Sequence, residues 1–320
     1  MIVKLFKMLS CFIVISLGIF YCFPSFSDTK IIQANNIQIW SESFGKPSHP
    51  PILLIMGAGA QSIMWPDDFC KQLAGQGFFV IRYDHRDTGY SSTINYEKHP
   101  YNIQDLTQDA IAVLESYDLE RAHIVGFSMG GEIAQFFGAY HPERTLSLTL
   151  IATSVDMEPG FLAFKGIHDP NRLSAPAPEY VKWANRSVNT KLQTLDEKIK
   201  DFMHTWRLLN GRETPFDEHL YRKIAGLNFK RGQDDNPYLN HANAMNASFA
   251  EHRAAPKLIQ APTIILHGTA DPIFGRDHAE ALNFAIANSK LVMINHMGHL
   301  LSPKFYNEII DLIKSQDRKN

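Results

Sequence analysis

The chain has 320 residues, 45% of them hydrophobic, and its 31 Lys and Arg against 33 Asp and Glu give a formal net charge of -2. That is enough chain for one large domain, or a domain carrying an insertion, with a sizeable core. The near-even charge balance, without a long Lys/Arg run, argues against a nucleic-acid partner, and a single cysteine outside the N-terminal apolar stretch, Cys70, cannot form an internal disulfide.

The first 27 residues read as an address. Lys4 and Lys7 precede an apolar run from 8 to 23, and Ser25 and Ser27 are small residues spaced like those before a cleavage site. This predicts a secretory signal removed near Ser27 and a secreted or periplasmic protein. The competing reading is an uncleaved membrane anchor, for which the run is slightly short of the ~20 residues that span a bilayer and is followed at once by Pro24. Membrane contact is expected only in that case. Asn185 and Asn246 each begin an N-x-S triplet, a pattern at chance level.

IIQANNIQIW predicts two short strands around an Asn35-Asn36 turn. The continuously apolar PPILLIMG then reads as a strand covered on both faces. WPDDFCKQLAGQG follows as a helix with Pro66 suited to its first turn, and FFVIRYD as a strand. In NIQDLTQDAIAVLESY, residues Ile103, Leu106, Ala110, Val113, Leu114 and Tyr117 share one helical face. AHIVGFS, MGGEIAQFFGAYH and LSLTLIA continue the alternation as strand, helix and strand. Alternation of this kind predicts a mostly parallel sheet with helices on both faces. It breaks from 155 to 255, which predicts a mainly helical insertion, and resumes with TIILHG, a helix around HAEALNFAIA, KLVMINH, and a last helix from about Pro303. The expected organisation is a core from 28–154 and 256–320 with an inserted helical cap at 155–255.

IVGFSMGG, residues 124 to 131, places a serine between glycines where a strand turns into a helix. G-x-S-x-G alone is weak, since it arises by luck in roughly one in ten chains this long. Its context gives it weight: a serine in such a turn stands at the carboxyl end of the sheet, beside the positive end of a helix. The bland alternative is that Ser128 only caps the helix. A serine nucleophile needs a base and an acid to orient that base, expected in the order Ser, Asp, His on loops after later strands. Asp271 follows TIILHG, and His299 lies in the loop after KLVMINH; His296 and His267 are the alternatives for the base. Negative charge on a substrate carbonyl oxygen requires preorganised N–H donors. The backbone amides of Met129 and of Ala58, with Gly57 in reserve, are placed to provide them. The charged run RYDHRDTGYS is read as a structural network in which Asp84, Arg86 and Asp87 satisfy one another and nearby backbone.

These residues resemble the α/β-hydrolase family over nearly the whole chain after the leader. More closely, LLIMGAGAQSIMWPDDF, VIRYDHRDTGYSS, RAHIVGFSMGG, WRLLNG with PFD, and MGHLL are similar to the aclacinomycin methylesterase group, which hydrolyses a methyl ester on an aromatic polyketide. The resemblance implies an α/β-hydrolase fold with a cap that shapes substrate choice. Met56-Gly57 stands where many of these hydrolases have His-Gly, a feature the methylesterase group shares, and the leader fits poorly with an intracellular polyketide-tailoring role.

The expected activity is that of a serine carboxylesterase acting on a small-molecule ester, with no metal or organic cofactor. Phe161, Phe164, Trp183, Met203 and Trp206 are candidates for an apolar pocket in the cap. Perhydrolysis or carbon–carbon bond cleavage on the same triad, and a noncatalytic receptor of the same fold, are the alternatives.

Overall fold

The computed structural model describes residues 27–232 and 237–317, so the predicted leader, apart from Ser27, lies outside the described residues. Ser27 opens β1 (Ser27–Ala34), which pairs antiparallel with β2 (Ile37–Phe44). The turn between them holds Asn35 and Asn36 at φ 51° and 62°, the left-handed conformation that asparagine tolerates in tight hairpins. β3 (Pro51–Ile55), α1 (Asp67–Gly75), β4 (Phe79–Tyr83), α2 (Ile103–Ser116), β5 (Ala122–Phe127), α3 (Met129–Tyr140) and β6 (Thr145–Ile151) follow. Pro66 sits one position earlier than expected, in extended backbone just before α1. Asn102 and Asp105 cap α2 reciprocally, which fixes its start.

Between β6 and β7 the described residues form helices only: α4 (Glu158–Phe164), α5 (Pro178–Val188), α6 (Leu195–Leu209), α7 (Glu218–Lys230), α8 (Pro237–Ala247) and α9 (Phe249–Ala254), followed by a short 3-10 turn. The chain then re-enters the sheet with β7 (Thr263–Gly268), α10 (Arg276–Ala285), β8 (Ser289–Ile294) and α11 (Tyr306–Asp317).

The sheet has eight strands in the order β1-β2-β4-β3-β5-β6-β7-β8, antiparallel at the β1/β2 and β2/β4 pairs and parallel from β4 to β8. Its two faces explain the apolar runs. Ile124 of β5 packs with α2, α3 and α10 (Leu106, Val113, Ile133, Leu282), whereas Val125 faces α1 and α11 (Phe69, Leu73, Ile309, Ile313). A strand covered twice cannot alternate polar and apolar residues. The strand order reverses between β3 and β5, since β4 lies to one side and β6 to the other. At such a reversal the loops after the two strands diverge and leave a crevice at their carboxyl ends. Those loops carry Gly57 with Ala58 and Ser128.

Candidate active site

Ser128 occupies the bend between β5 and α3 with φ 55° and ψ −121°, backbone angles that cost strain for a residue with a side chain. The bend needs its glycines. A Cβ on Gly126 would lie 2.1 Å from the Gly130 carbonyl oxygen, and one on Gly130 would lie 2.1 Å from that of Ile55. The serine side chain makes no cap bond to α3, so helix capping does not account for it. Thr153 holds the Ser128 carbonyl instead, its hydroxyl donating at 2.9 Å.

His299 and Asp271 reach the same place from the loops after β8 and β7. The His299 Nδ1 lies 2.8 Å from Asp271 Oδ2, while Asp271 Oδ1 accepts from the amides of Ile273 (2.8 Å) and Phe274 (3.0 Å). Burial alone would raise the Asp271 carboxyl. The adjacent His299 imidazole and its hydrogen bond, then His267 and the Phe274 amide, outweigh burial and hold the group below the ordinary aspartate range. An ionised Asp271 requires a proton on His299 Nδ1, which leaves Nε2 as the acceptor of the neutral ring. Among the described residues neither Nε2 nor the Ser128 hydroxyl has a hydrogen-bond partner, and both residues line one cavity. The competing histidines are engaged elsewhere. His296 is exposed with Nδ1 2.5 Å from Glu213, and His267 is buried with Nε2 2.9 Å from the Phe274 carbonyl.

The helical segment sets the histidine loop. The His299 amide donates to the Leu209 carbonyl at the end of α6 (2.7 Å), and Thr214 Oγ1 donates to the His296 carbonyl (2.7 Å). Gly298 allows this approach, because a Cβ there would lie 2.3 Å from the Asn210 oxygen. WRLLNG therefore ends in the clamp that positions His299.

The loop after β3 runs against the serine: a Cβ on Gly57 would be 3.1 Å from that of Ser128. Ala58 lines the cavity, and Met129 begins α3 at the positive helix end. Neither amide donates a hydrogen bond among the described residues. The loop is held from α8, where His241 Nδ1 accepts from the Gly59 amide (2.9 Å) and Nε2 donates to the Arg86 carbonyl (2.9 Å). Burial, then His85 nearby, pushes His241 down to about 3, so it stays neutral and keeps its acceptor lone pair. Sequence alone gave no reason to single out this histidine, which lies 182 positions from its partner.

Asp84, Arg86 and Asp87 form a structural network in which nearby backbone does take part, the amides of Tyr90 and Ile94 donating to Asp84 (3.0 Å) and Asp87 (2.5 Å), but the three do not satisfy one another. Asp84 binds Arg231 (2.5 Å) and the Ser62 amide and hydroxyl, Arg86 forks onto Asp109 (2.7 and 2.8 Å), and Asp87 accepts from Tyr101 (2.6 Å). Partners from distant elements bring better geometry than neighbours along a turn can.

The cavity over Ser128 and His299 has a volume of about 180 Å³ and shares lining residues with a second of about 690 Å³. Phe161, Phe164 and Trp206 line the inner chamber, and Trp183 and Trp206 the outer one. Met203 lines neither: it is 3% exposed and packs in the core.

A strained serine turn at the carboxyl end of this sheet, with histidine and aspartate on later loops, defines the class. The chain belongs to the alpha/beta hydrolase fold family, whose model matches residues 50–304. Among individual proteins it is similar to rhodomycin D methylesterase DnrP of Streptomyces peucetius, 34% identical over 278 residues that span 85% of this chain and 92% of that one. It is also similar to 3-oxoadipate enol-lactonase 2 of Acinetobacter baylyi, 24% identical over 91% of this chain and 98% of that protein. The solved enol-lactonase from Burkholderia xenovorans LB400 shares the fold at a TM-score of 0.67, with 21% identity over 90% of this chain and 99% of that one.

Proposed function

We propose that the protein is a serine carboxylesterase in which Ser128 is the nucleophile, His299 the base and Asp271 the group that orients it. The family and the methylesterase relatives support an ester-cleaving hydrolase. The observation that carries the finer reading is a serine on a strained turn sharing a cavity with an imidazole whose far nitrogen is fixed by a buried carboxylate 2.8 Å away.

In this reading His299 Nε2 takes the Ser128 proton as the oxygen attacks the ester carbonyl. The resulting oxyanion is met by the amides of Ala58 and Met129. The tetrahedral adduct collapses, the carbon–oxygen bond to the alcohol breaks, and His299 returns its proton to the leaving alcohol. Water, deprotonated by the same nitrogen, attacks the acyl-serine, and collapse releases the acid and restores Ser128. Every proton moves through His299, the serine oxygen returns to Ser128, and the one oxygen added to the products comes from water.

The helices of 155–255 act as a cap in this proposal, since residues of α4, α5, α6 and α8 line the chambers. The apolar inner lining and the rhodomycin D methylesterase relatives favour a methyl ester of an apolar or aromatic acid. The N-terminal 27 residues are proposed to export the enzyme, which N-terminal sequencing of protein from the culture medium or periplasm checks.

The decisive experiment is labelling by a fluorophosphonate probe together with hydrolysis of p-nitrophenyl esters. Wild-type protein is expected to do both and Ser128→Ala neither. Unchanged hydrolysis in the variant would refute the assignment.

A further inference from the structure

Ala58, Ala60, Tyr180, Thr205, Trp206 and Tyr238 line both chambers and so form the boundary, or neck, between them. Beyond Ser128 and His299, the described residues that wall the inner chamber are almost wholly apolar and include no lysine or arginine. The polar atoms at the neck therefore decide what it accepts. The Thr205 hydroxyl is committed, donating to the Asp201 carbonyl (3.0 Å) and accepting from the Trp183 indole (3.0 Å). The Trp206 ring is stacked on Tyr221. The phenols of Tyr180 and Tyr238 have no hydrogen-bond partner among the described residues, although Tyr180 is only 9% exposed. Neither oxygen is among the fully buried atoms that lack a partner, and both residues line the cavities, so each phenol is open to a group bound there.

The two groups come from opposite ends of the helical segment. Tyr180 stands in the first turn of α5 and Tyr238 in that of α8, where its backbone packs against Gly59 of the loop proposed to bind the oxyanion. Burial, then the neighbouring Tyr238 and Asp271, pushes Tyr180 well above the ordinary phenol range, and burial pushes Tyr238 up to about 12. Both therefore remain protonated and can donate. With no cation in the inner chamber to offset a negative charge, the group they suit is a neutral oxygen.

We propose that Tyr180 and Tyr238 form a hydrogen-bonding subsite at the neck, selecting esters whose larger half carries a neutral keto or hydroxyl oxygen beside the scissile group. The proposal rests on the esterase reading for its orientation. It adds a polar requirement to a site that otherwise selects by size and apolarity.

The test compares the methyl ester of a tetralone carboxylic acid with that of the tetralin carboxylic acid lacking the keto oxygen. Wild-type enzyme is expected to favour the keto ester in kcat/KM, chiefly through KM. Tyr180→Phe and Tyr238→Phe should each cut that ratio about fivefold, the worth of a single hydrogen bond, and the double variant should bring it close to unity. Phenylalanine keeps the ring and its packing. Binding of the same two esters to Ser128→Ala protein, followed by tryptophan fluorescence, reads the ratio without turnover. Equal preference in the wild type, or a ratio unmoved in the double variant, overturns the subsite; continued fluorophosphonate labelling then shows that the esterase reading survives. A binding ratio that collapses with the tyrosines in a protein that neither labels nor hydrolyses supports the subsite and removes the esterase.

Discussion

β5 has a Ser, His and Asp set at each of its ends. At the amino end His123 faces Ser147 across the β5/β6 pair, with Nδ1 2.7 Å from the hydroxyl and Nε2 3.5 Å from Asp317. Judged by contacts alone, that set is more complete than Ser128, His299 and Asp271, where serine and histidine share no hydrogen bond. Yet it has none of the surroundings that catalysis needs. Ser147 lies within a strand, is 1% exposed and lines neither chamber. Among the described residues no helix begins beside it, so it lacks the positive helix end that adjoins Ser128. Burial lowers the His123 pKa more than Asp317 raises it, which suits a structural tie of α11 to the sheet. Side-chain constellations are common consequences of packing. A strained turn, free amides and an open chamber together mark the carboxyl end as different.

The comparison is sharpest when the two serines are removed in turn. Ser128→Ala is expected to lower kcat by about 10⁶, the scale on which a triad serine is lost, measured on p-nitrophenyl esters. Asp271→Asn should cost roughly 10⁴, because the asparagine amide favours the wrong tautomer of His299; steady-state kinetics on the purified variant checks it. His241→Ala takes the acceptor from the Gly59 amide and should lower kcat by about 10- to 100-fold with little change in KM, as the loss of a positioned loop predicts. Ser147→Ala should leave turnover at the wild-type level and cost about 1–3 kcal/mol of stability in urea unfolding, the penalty of an unpaired buried imidazole nitrogen. Loss of activity in that variant, with its fold intact, would erase the distinction between the two ends.

A pH prediction bears on the same loop. His241 and His252 are both buried and both lowered from 6.5 to about 3, first by burial, then by His85 and Arg253 respectively. The unfolded chain binds protons at these rings below pH 6.5, and the native state does not until about 3. Their contribution to stability is therefore complete above 6.5 and is lost as pH falls from 6.5 toward 3, by up to about 1.4 kcal/mol per pH unit for each ring. Urea titrations through that window should show the decline, with a shallower slope in His241→Asn.

Much of this was legible in the chain. Asn35 and Asn36 announced their hairpin because only a few residues tolerate the left-handed turn. The doubly covered strands showed as unbroken apolar runs, and Gly126 and Gly130 around Ser128 pointed to a bend with no room for a Cβ. Asp271 and His299 followed from their order after later strands. Less legible were the side-chain partners of Asp84, Arg86 and Asp87, since these turn residues turned out to be satisfied by Ser62 and Arg231, by Asp109 of α2, and by Tyr101. The choice of pocket residues was also only partly right: Met203 has the same apolar character as its neighbours, and nothing local says which side of α6 meets the core.

The sequence by itself determined the alternation of elements and the candidates for the site, because periodicity, turn chemistry and strand order act over short stretches of chain. Tertiary structure alone decided what engages His296 and His267, that His241 holds the Gly59 loop, and that two tyrosines 58 positions apart line one neck. Those facts depend on distances across the fold, and no local propensity encodes a distance between residues whose approach is set by everything packed between them.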